Sequence, residues 1–307
     1  MNSFLPEGQL LNTPRNKYML SKPSCIAQAI TEGTILEATA AVCNQNHDLL
    51  CDLGCMRGII PRNEGAIGIA EGLVRDIALI SRVGKPVSFV VTGIRHDSDG
   101  RPIAILSREK AQRICMREYV CNLKPGQIIN AKITHLESFG AFCDIGCGII
   151  ALLPINAISV SRISHPSDRF RCGENIRAVV RSKDPSGRIT LSCKELLGTW
   201  QQNADRFTQG ETVFGIVRSV EDYGIFIELT PNLAGLAEPR ADITIGQYTS
   251  VYIKSLLPEK MKVKLIIIDM LKDAPPPSPL EYFIDGDRLD RWVYSPKECP
   301  KTIETIF

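Results

Sequence analysis

Apolar residues in this chain fall into runs rich in valine and isoleucine, separated by glycines, prolines and short polar turns. Alternating or continuous apolar runs of this composition are typical of β-strands. Three of the strand-rich segments open with similar tetrapeptides, Glu32-Gly33-Thr34-Ile35, Pro125-Gly126-Gln127-Ile128 and Gln209-Gly210-Glu211-Thr212. The pattern therefore predicts three segments of similar construction along the chain.

A constant offset relates the second segment to the third. Gly126 and Gly210 are 84 residues apart, and the same offset carries the pair Phe139 and Phe142 onto Tyr223 and Phe226. A fixed period of this kind indicates an internal repeat, which is a stronger signal than any local pattern.

The first segment is a more diverged copy. Its run Cys51-Asp52-Leu53-Gly54-Cys55 parallels Cys143-Asp144-Ile145-Gly146-Cys147. This alignment places His47 and Leu50 at the positions of the aromatic pair. The first copy therefore retains the strand pattern but has lost both rings.

Turns and helices complete each copy. The runs Asp97–Arg101 and Asp184–Arg188 share the pattern Asp-x-x-Gly-Arg, which has the turn residues of a β-hairpin. A helical run follows Ser107, and Ser192-Cys193-Lys194-Glu195 has the pattern of a capping box. About five short strands in roughly 75 residues fit a small closed barrel of the OB kind.

The predicted fold is mainly β, with three tandem five-stranded antiparallel OB-fold barrels joined by short helices. We expect seven segments: a loosely ordered 1–30, a first repeat 31–108, a helical linker 109–123, a second repeat 124–195, a helical linker 196–208, a third repeat 209–273, and a proline-rich linker with the tail 274–307.

Composition narrows the class of protein. The 307 residues carry a net charge of +2, eleven cysteines and no basic-then-apolar leader. No apolar run reaches the roughly 18 residues of a membrane span. We therefore expect a cytoplasmic protein with reduced thiols and no membrane partner.

Charge is distributed unequally among the copies. Residues 124–195 contain ten Lys or Arg and six Asp or Glu, a difference of +4, whereas residues 32–107 and 206–273 give −2 and −1. Only the second copy combines an aromatic pair with positive charge. Aromatic rings stack the bases of single-stranded RNA, and a basic groove follows its phosphates.

An isolated Phe pair is more often part of a core. Here Gly140 between the two rings could allow a bulge that turns both to the same side. Recurrence of the pair at Tyr223 and Phe226, together with the local charge, favours a base-stacking surface instead.

The second copy resembles the S-one RNA-binding domain family. The resemblance rests on Gly126, Phe139-Gly140-Ala141-Phe142, Ile158-Ser159, Gly173, Asp184, Arg188 and Leu191-Ser192. Tandem copies resemble the bacterial ribosomal S-one family in its shorter, Gram-positive form. The resemblance implies an RNA-binding face with two aromatic residues, a His, an Asp and an Arg. The position of the family's His is occupied by Pro154 in the second copy, by Glu238 in the third and by Pro61 in the first.

These observations predict binding of single-stranded RNA or mRNA, acting in translation at the small ribosomal subunit and contacting its proteins. The alternatives are a non-ribosomal RNA-binding regulator and an RNA-processing enzyme or accessory subunit in RNA turnover. Without a catalytic motif, we expect no enzyme activity, small-molecule substrate, cofactor or metal site. The predicted RNA-binding residues are Phe139, Phe142, Lys132, Arg162, Arg169, Asp184, Arg188, Tyr223, Phe226 and Lys262.

Overall fold

A computed structural model describes residues 4–271 and 280–307. Within them, contacts divide the chain into two compact units. The first comprises residues up to 123 with 130–132 and 144–150; the second comprises 124–129, 133–143 and the described residues from 151 onward. The predicted proline-rich linker 274–279 lies outside the described residues.

Fifteen strands build three barrels. The first barrel consists of β1 (Ile35–Cys43), β2 (Leu49–Asp52), β3 (Arg57–Ile60), β4 (Pro86–His96) and β5 (Pro102–Ser107). The second consists of β6 (Ile128–Glu137), β7 (Gly140–Asp144), β8 (Ile150–Pro154), β9 (Asn175–Lys183) and β10 (Ile189–Ser192). The third consists of β11 (Thr212–Glu221), β12 (Gly224–Thr230), β13 (Leu233–Ala237), β14 (Tyr248–Leu257) and β15 (Lys262–Met270).

All three barrels share one closed strand order, in which the third strand pairs with the fifth and the fourth closes onto the first. Hydrogen bonding between the third and fifth strands is parallel, whereas the other recorded pairings are antiparallel. The predicted fold of three five-stranded barrels is confirmed, with this parallel pair as a refinement.

Side-chain alternation explains why these sequences close into barrels. In β15, Val263 and Leu265 are buried while Lys262 and Lys264 are exposed. Successive side chains of a strand point to opposite faces, so such a strand supplies one apolar inner row and one polar outer row. Closure then removes exposed sheet edges.

In the described residues, five α-helices accompany the barrels: α1 (Pro14–Leu20), α2 (Pro23–Glu32), α3 (Ile77–Ile80), α4 (Arg108–Glu118) and α5 (Trp200–Ala204). The expectation of a loosely ordered segment 1–30 is wrong from residue 14 onward, because α1 and α2 form there. Asn16 of α1 exchanges two hydrogen bonds with the backbone of Glu37 on β1, and the Glu37 carboxylate accepts hydrogen bonds from the amides of Gly8, Leu10 and Leu11 ahead of the helix.

The structure has the helix start predicted after Ser107, but the helix of the second linker begins later than predicted. Ser107 caps α4 by accepting a hydrogen bond from the Lys110 amide. The capping box predicted at Ser192 instead precedes a short 3-10 turn, and α5 begins after a capping box formed by Thr199 and Gln202.

Residues after 280 pack onto the second compact unit. They include the strand pair β16 (Arg291–Val293) and β17 (Glu304–Ile306). Trp292 and Tyr294 are buried in the core of the third barrel, and the Tyr294 hydroxyl donates to the Asn232 carbonyl. The tail, which is too short to form a hydrophobic core of its own, thus adds two side chains to the core of the third barrel.

Candidate nucleic-acid interface

Phe139 and Phe142 form an aromatic pair at the surface of the second barrel, in which Phe139 is exposed and Phe142 is half-buried. Their ring centroids are 6.0 Å apart in an edge-to-face arrangement, and Phe139 is 54% exposed. Phe139 lies in the two-residue turn between β6 and β7, and Phe142 lies on β7. The turn, rather than the expected bulge at Gly140, therefore brings the rings together.

Gly140 is required for a different reason. A Cβ atom at this position would stand 2.5 Å from the carbonyl oxygen of Leu153 on β8. The turn and β8 approach each other too closely for any side chain there. Glycine consequently keeps the aromatic pair against the sheet.

His135 adds a third ring that sequence reasoning did not single out. It stacks on Phe142 with centroids 6.3 Å apart and an interplanar angle of 25°. Its Nε2 atom lies 2.7 Å from Glu137 Oε1. The resemblance places the family's His at Pro154, but an imidazole from β6 occupies the aromatic surface instead. Alternation would not have found it, because the buried Ala131 and Ile133 have the same parity as His135, which is exposed only where β6 departs from regular alternation.

Asp184 and Arg188 flank the β9–β10 hairpin. The Asp184 carboxylate accepts hydrogen bonds from the Ser186 hydroxyl and the Arg188 amide. The hydrogen bond from Ser186 is the main reason that the pKa of Asp184 lies below its usual range. Asp184 thus stabilises the turn. The Arg188 side chain is exposed and lies two residues before Thr190, which pairs with Leu152 on β8.

The other predicted cations of this copy differ in availability. Arg162 is exposed. Lys132 is half-buried in the first compact unit, where its ammonium group donates to the Glu7 carbonyl at 2.9 Å. Arg177, part of the basic run that gives this copy its charge, donates to the backbone carbonyls of Ile284 and Gly286.

Arg169 is committed to a buried ion pair. Its guanidinium donates to both carboxylate oxygens of Glu228 at 2.7 and 2.9 Å, and its side chain is 7% exposed. Arg218 contacts the same carboxylate at 2.8 Å. We therefore remove Arg169 from the proposed RNA surface, because a partner 59 residues away along the chain neutralises it.

This ion pair sets a dependence of stability on pH. Burial alone would raise the pKa of Glu228, but the hydrogen bonds and charges of Arg169 and Arg218 outweigh burial and hold it below its ordinary value of 4.5. A lowered folded-state pKa stabilises the protein above that ordinary value, and the contribution is lost as pH falls through the lowered pKa.

We accordingly expect the second compact unit to lose thermal stability as the pH falls below about 4.5. Melting curves at a series of pH values, recorded for the native chain and for Glu228→Gln, measure the effect. The difference between the two proteins should be largest at neutral pH and shrink in acid. A constant difference would contradict the assignment to Glu228.

The third barrel repeats the aromatic pair. Tyr223 is 68% exposed, and its ring lies edge-to-face with Phe226 at 6.1 Å. Strand register places Phe226 opposite Leu236, which pairs with Lys264. Lys264, which the sequence comparison missed, is therefore closer in register to the ring than the predicted Lys262. Alternation with buried Leu265 could have indicated it.

The first barrel presents an aliphatic row at the equivalent place. Leu50 on β2 lies between Val42 and Ile59, and Ile59 pairs with Ile105. His47 lies in a turn with a φ of 62° and its Nδ1 is 3.4 Å from Asp76 Oδ2. The loss of both rings, inferred from the alignment, leaves an apolar surface there.

No group of three or more His, Cys, Asp or Glu in residues 4–271 and 280–307 is arranged to hold a metal ion. None of the eleven cysteines, all of which lie in the described residues, forms a disulfide. Among the same residues, no helix is both long and apolar enough to cross a bilayer.

The sequence of the second barrel matches a known family. Residues 122–194 match the S1 RNA-binding domain. The second barrel is therefore similar in sequence to the S1 RNA-binding domain. This match, with the relatives described next, confirms the predicted resemblance to the S-one family.

Relatives extend the similarity over more of the chain. It is 30% identical over 266 residues to the small ribosomal subunit protein bS1 homolog of Bacillus subtilis, covering 83% of this chain and 65% of that protein. Identity to bS1 of Leuconostoc lactis is 28% over 192 residues, covering 61% and 43%. The chain thus spans less than two thirds of either relative.

An enzyme also shares part of the sequence. The chain is 30% identical over 178 residues to the 4-hydroxy-3-methylbut-2-enyl diphosphate reductase of Clostridium acetobutylicum. The match covers 53% of this chain but 27% of the enzyme.

Proposed function

We propose that this chain binds single-stranded RNA and that its second barrel supplies most of the affinity. The observation that carries the proposal is the exposed group of Phe139, Phe142 and His135 on a barrel of the S1 RNA-binding kind. Three clustered rings offer stacking surfaces for bases and require little sequence specificity.

Phosphate contacts come from a narrower set of cations than composition suggests. Arg162, Arg181 and Arg188 are exposed on the second barrel, whereas Arg169 and Arg177 are held by protein groups. Exposed guanidinium groups bind phosphate oxygens and release counterions. We assign phosphate contacts to these three arginines.

The remaining barrels have different roles in this proposal. The third is a weaker RNA-binding module, with Tyr223 and Phe226 as its rings and Lys262 and Lys264 as its cations. The first docks on a protein surface through its aliphatic row, because an apolar row without rings suits a protein partner better than RNA bases. The segment boundaries predicted from the sequence are proposed as the limits of these modules.

The biological setting follows from the relatives. Two of them are small ribosomal subunit proteins by name. We infer that the chain acts in the cytoplasm during translation, holding mRNA at or near the small subunit and contacting its proteins. We propose no catalytic role and no cofactor.

Sedimentation separates this function from its main alternative, an RNA-binding regulator or accessory subunit in RNA turnover that never joins ribosomes. On a sucrose gradient of cell extract, the native protein should travel with the small ribosomal subunit. Finding it only at the top of the gradient, while purified protein still binds RNA, would contradict ribosomal action and favour the alternative.

A further inference from the structure

The third barrel carries a second exposed apolar surface away from its aromatic pair. Phe214 on β11 is 60% exposed, and Ile266 and Ile268 on β15 are 43% and 54% exposed. Tyr252 on β14 is half-exposed and lies directly opposite Ile266. We call Phe214, Tyr252, Ile266 and Ile268 the outer aromatic face.

The corresponding face of the second barrel is covered by the chain itself. The pair Val179–Ser192 of the second barrel corresponds to the pair Tyr252–Ile266 of the third. Val179 and Ser192 are both buried. The tail lies along this side: the Tyr282 hydroxyl accepts a hydrogen bond from the Arg177 amide, two residues before Val179 on β9.

The first barrel covers the same place with a helix. Val90 pairs with Ser107, both are buried, and α4 begins at the next residue, Arg108. Within residues 4–271 and 280–307, the third barrel is thus the one that leaves this face open. It also replaces small side chains there by an aromatic ring and an isoleucine.

Lysines connect the open face with the aromatic pair. The outward positions of β15 run Lys262, Lys264, Ile266, Ile268. Lys264 pairs with Leu236, which lies opposite Phe226, and Ile266 pairs with Tyr252. At about 3.3 Å per residue, Lys264 and Ile268 are only ~13 Å apart along the strand.

The charge of this region suits a polyanion. Among the described residues, none of Lys254, Lys262 and Lys264 takes part in an ion pair, and all three are exposed. Asp269, the acidic residue beyond Ile268, interacts electrostatically with Arg240. A protein partner with an apolar surface would leave the three ammonium groups without a counter-charge.

We propose that single-stranded RNA held by Tyr223 and Phe226 continues past Lys264 onto the outer aromatic face. Lys262 and Lys264 contact its phosphates, and Tyr252 and Phe214 stack further bases while the isoleucines pack against base faces. This extension rests on the proposed RNA-binding function. It gives the third barrel a longer footprint than its aromatic pair alone.

The test uses the full chain carrying Phe214→Ala with Tyr252→Ala, and fluorescently labelled RNAs of about 6 and 24 nucleotides. Anisotropy should show roughly tenfold weaker binding of the long RNA, from the loss of one or two stacked bases. Binding of the short RNA should be unchanged because the aromatic pairs suffice for it. Leu73→Ala, an exposed apolar truncation in the first compact unit, is the matched control.

A charge exchange at one exposed position distinguishes RNA from a second copy of the chain or another protein. Ile268→Glu should weaken binding of the long RNA, whereas Ile268→Lys should preserve or strengthen it. Equal loss from both, or a change in oligomeric state with unchanged RNA affinity, would overturn the inference. Long-RNA affinity within twofold of native in Phe214→Ala/Tyr252→Ala would also overturn it.

Failure of the extension is separable from failure of the proposed function. If only the outer-face variants are neutral while Tyr223→Ala with Phe226→Ala weakens binding, RNA binding stands and the extension falls. If the native chain binds neither RNA, the proposed function itself fails.

Discussion

Replacing Phe139 and Phe142 together by alanine is expected to weaken binding of single-stranded RNA by about 2–4 kcal/mol. Each base stacked on an aromatic ring contributes ~1–3 kcal/mol, and the two rings touch each other, so their contributions overlap. Phe139 is exposed in a turn, Phe142 is half-buried on β7, and neither is a buried core residue. The loss should therefore appear mainly in binding rather than in folding.

Fluorescence anisotropy with a labelled RNA measures this loss. The chain offers a matched control at the equivalent positions of the first barrel, His47→Ala with Leu50→Ala, which should leave the affinity unchanged. Tyr223→Ala with Phe226→Ala should have an intermediate effect. Equal affinities for the native chain and the Phe139/Phe142 variant would remove the second barrel from its proposed role.

Glu228→Gln is expected to lower the free energy of unfolding of the second compact unit by about 3–5 kcal/mol. Glu228 is 4% exposed and serves two arginines that are themselves nearly buried, Arg169 and Arg218. A neutral amide of the same size leaves the Arg169 guanidinium without a counter-charge in a poorly solvated place, while Arg218 keeps only Asp168, 3.7 Å away. Burying an unpaired charge is among the costliest single changes in a protein.

Urea denaturation followed by fluorescence measures this change. Asp242→Asn breaks the exposed Arg240–Asp242 pair and is the control. Exposed pairs contribute only ~0–1 kcal/mol, so that variant should unfold almost like the native chain. A loss below about 1 kcal/mol for Glu228→Gln would mean that the buried network can rearrange around the amide.

The aromatic surface could be predicted because its signal is local and repeated. The offset between Phe139 and Tyr223 identified both aromatic pairs, whereas the turns that hold Phe139 and Tyr223 were not predicted. The strand count followed from alternation and turn residues. These features depend on residues close together in the chain, so they can be recognised from one sequence.

The availability of the arginines could not be predicted in the same way. Arg169 and Arg188 look alike in sequence, but Glu228 neutralises the first while the second remains exposed. That distinction depends on a contact between residues far apart in the chain. The position of α1 likewise depends on the hydrogen bonds between Asn16 and Glu37, and the position of the tail depends on its contacts with the core of the third barrel.

His135 shows a further limit of comparison with a family. The resemblance directed attention to Pro154 because a His is usual at that position. The structure instead places an imidazole on the same aromatic surface from a different strand. Alternation along β6 predicts an inward-facing His135, so its place on the aromatic surface could be seen only in the structure.

Photo-crosslinking most directly tests the claim that the second barrel is the main RNA-binding module. Native protein would be irradiated with 4-thiouridine-containing RNA, digested and analysed by mass spectrometry. We predict that the strongest crosslinks fall at residues 135–142, with weaker ones at 223–226. Crosslinks confined to the first barrel, or absent from Phe139 and Phe142, would contradict the account.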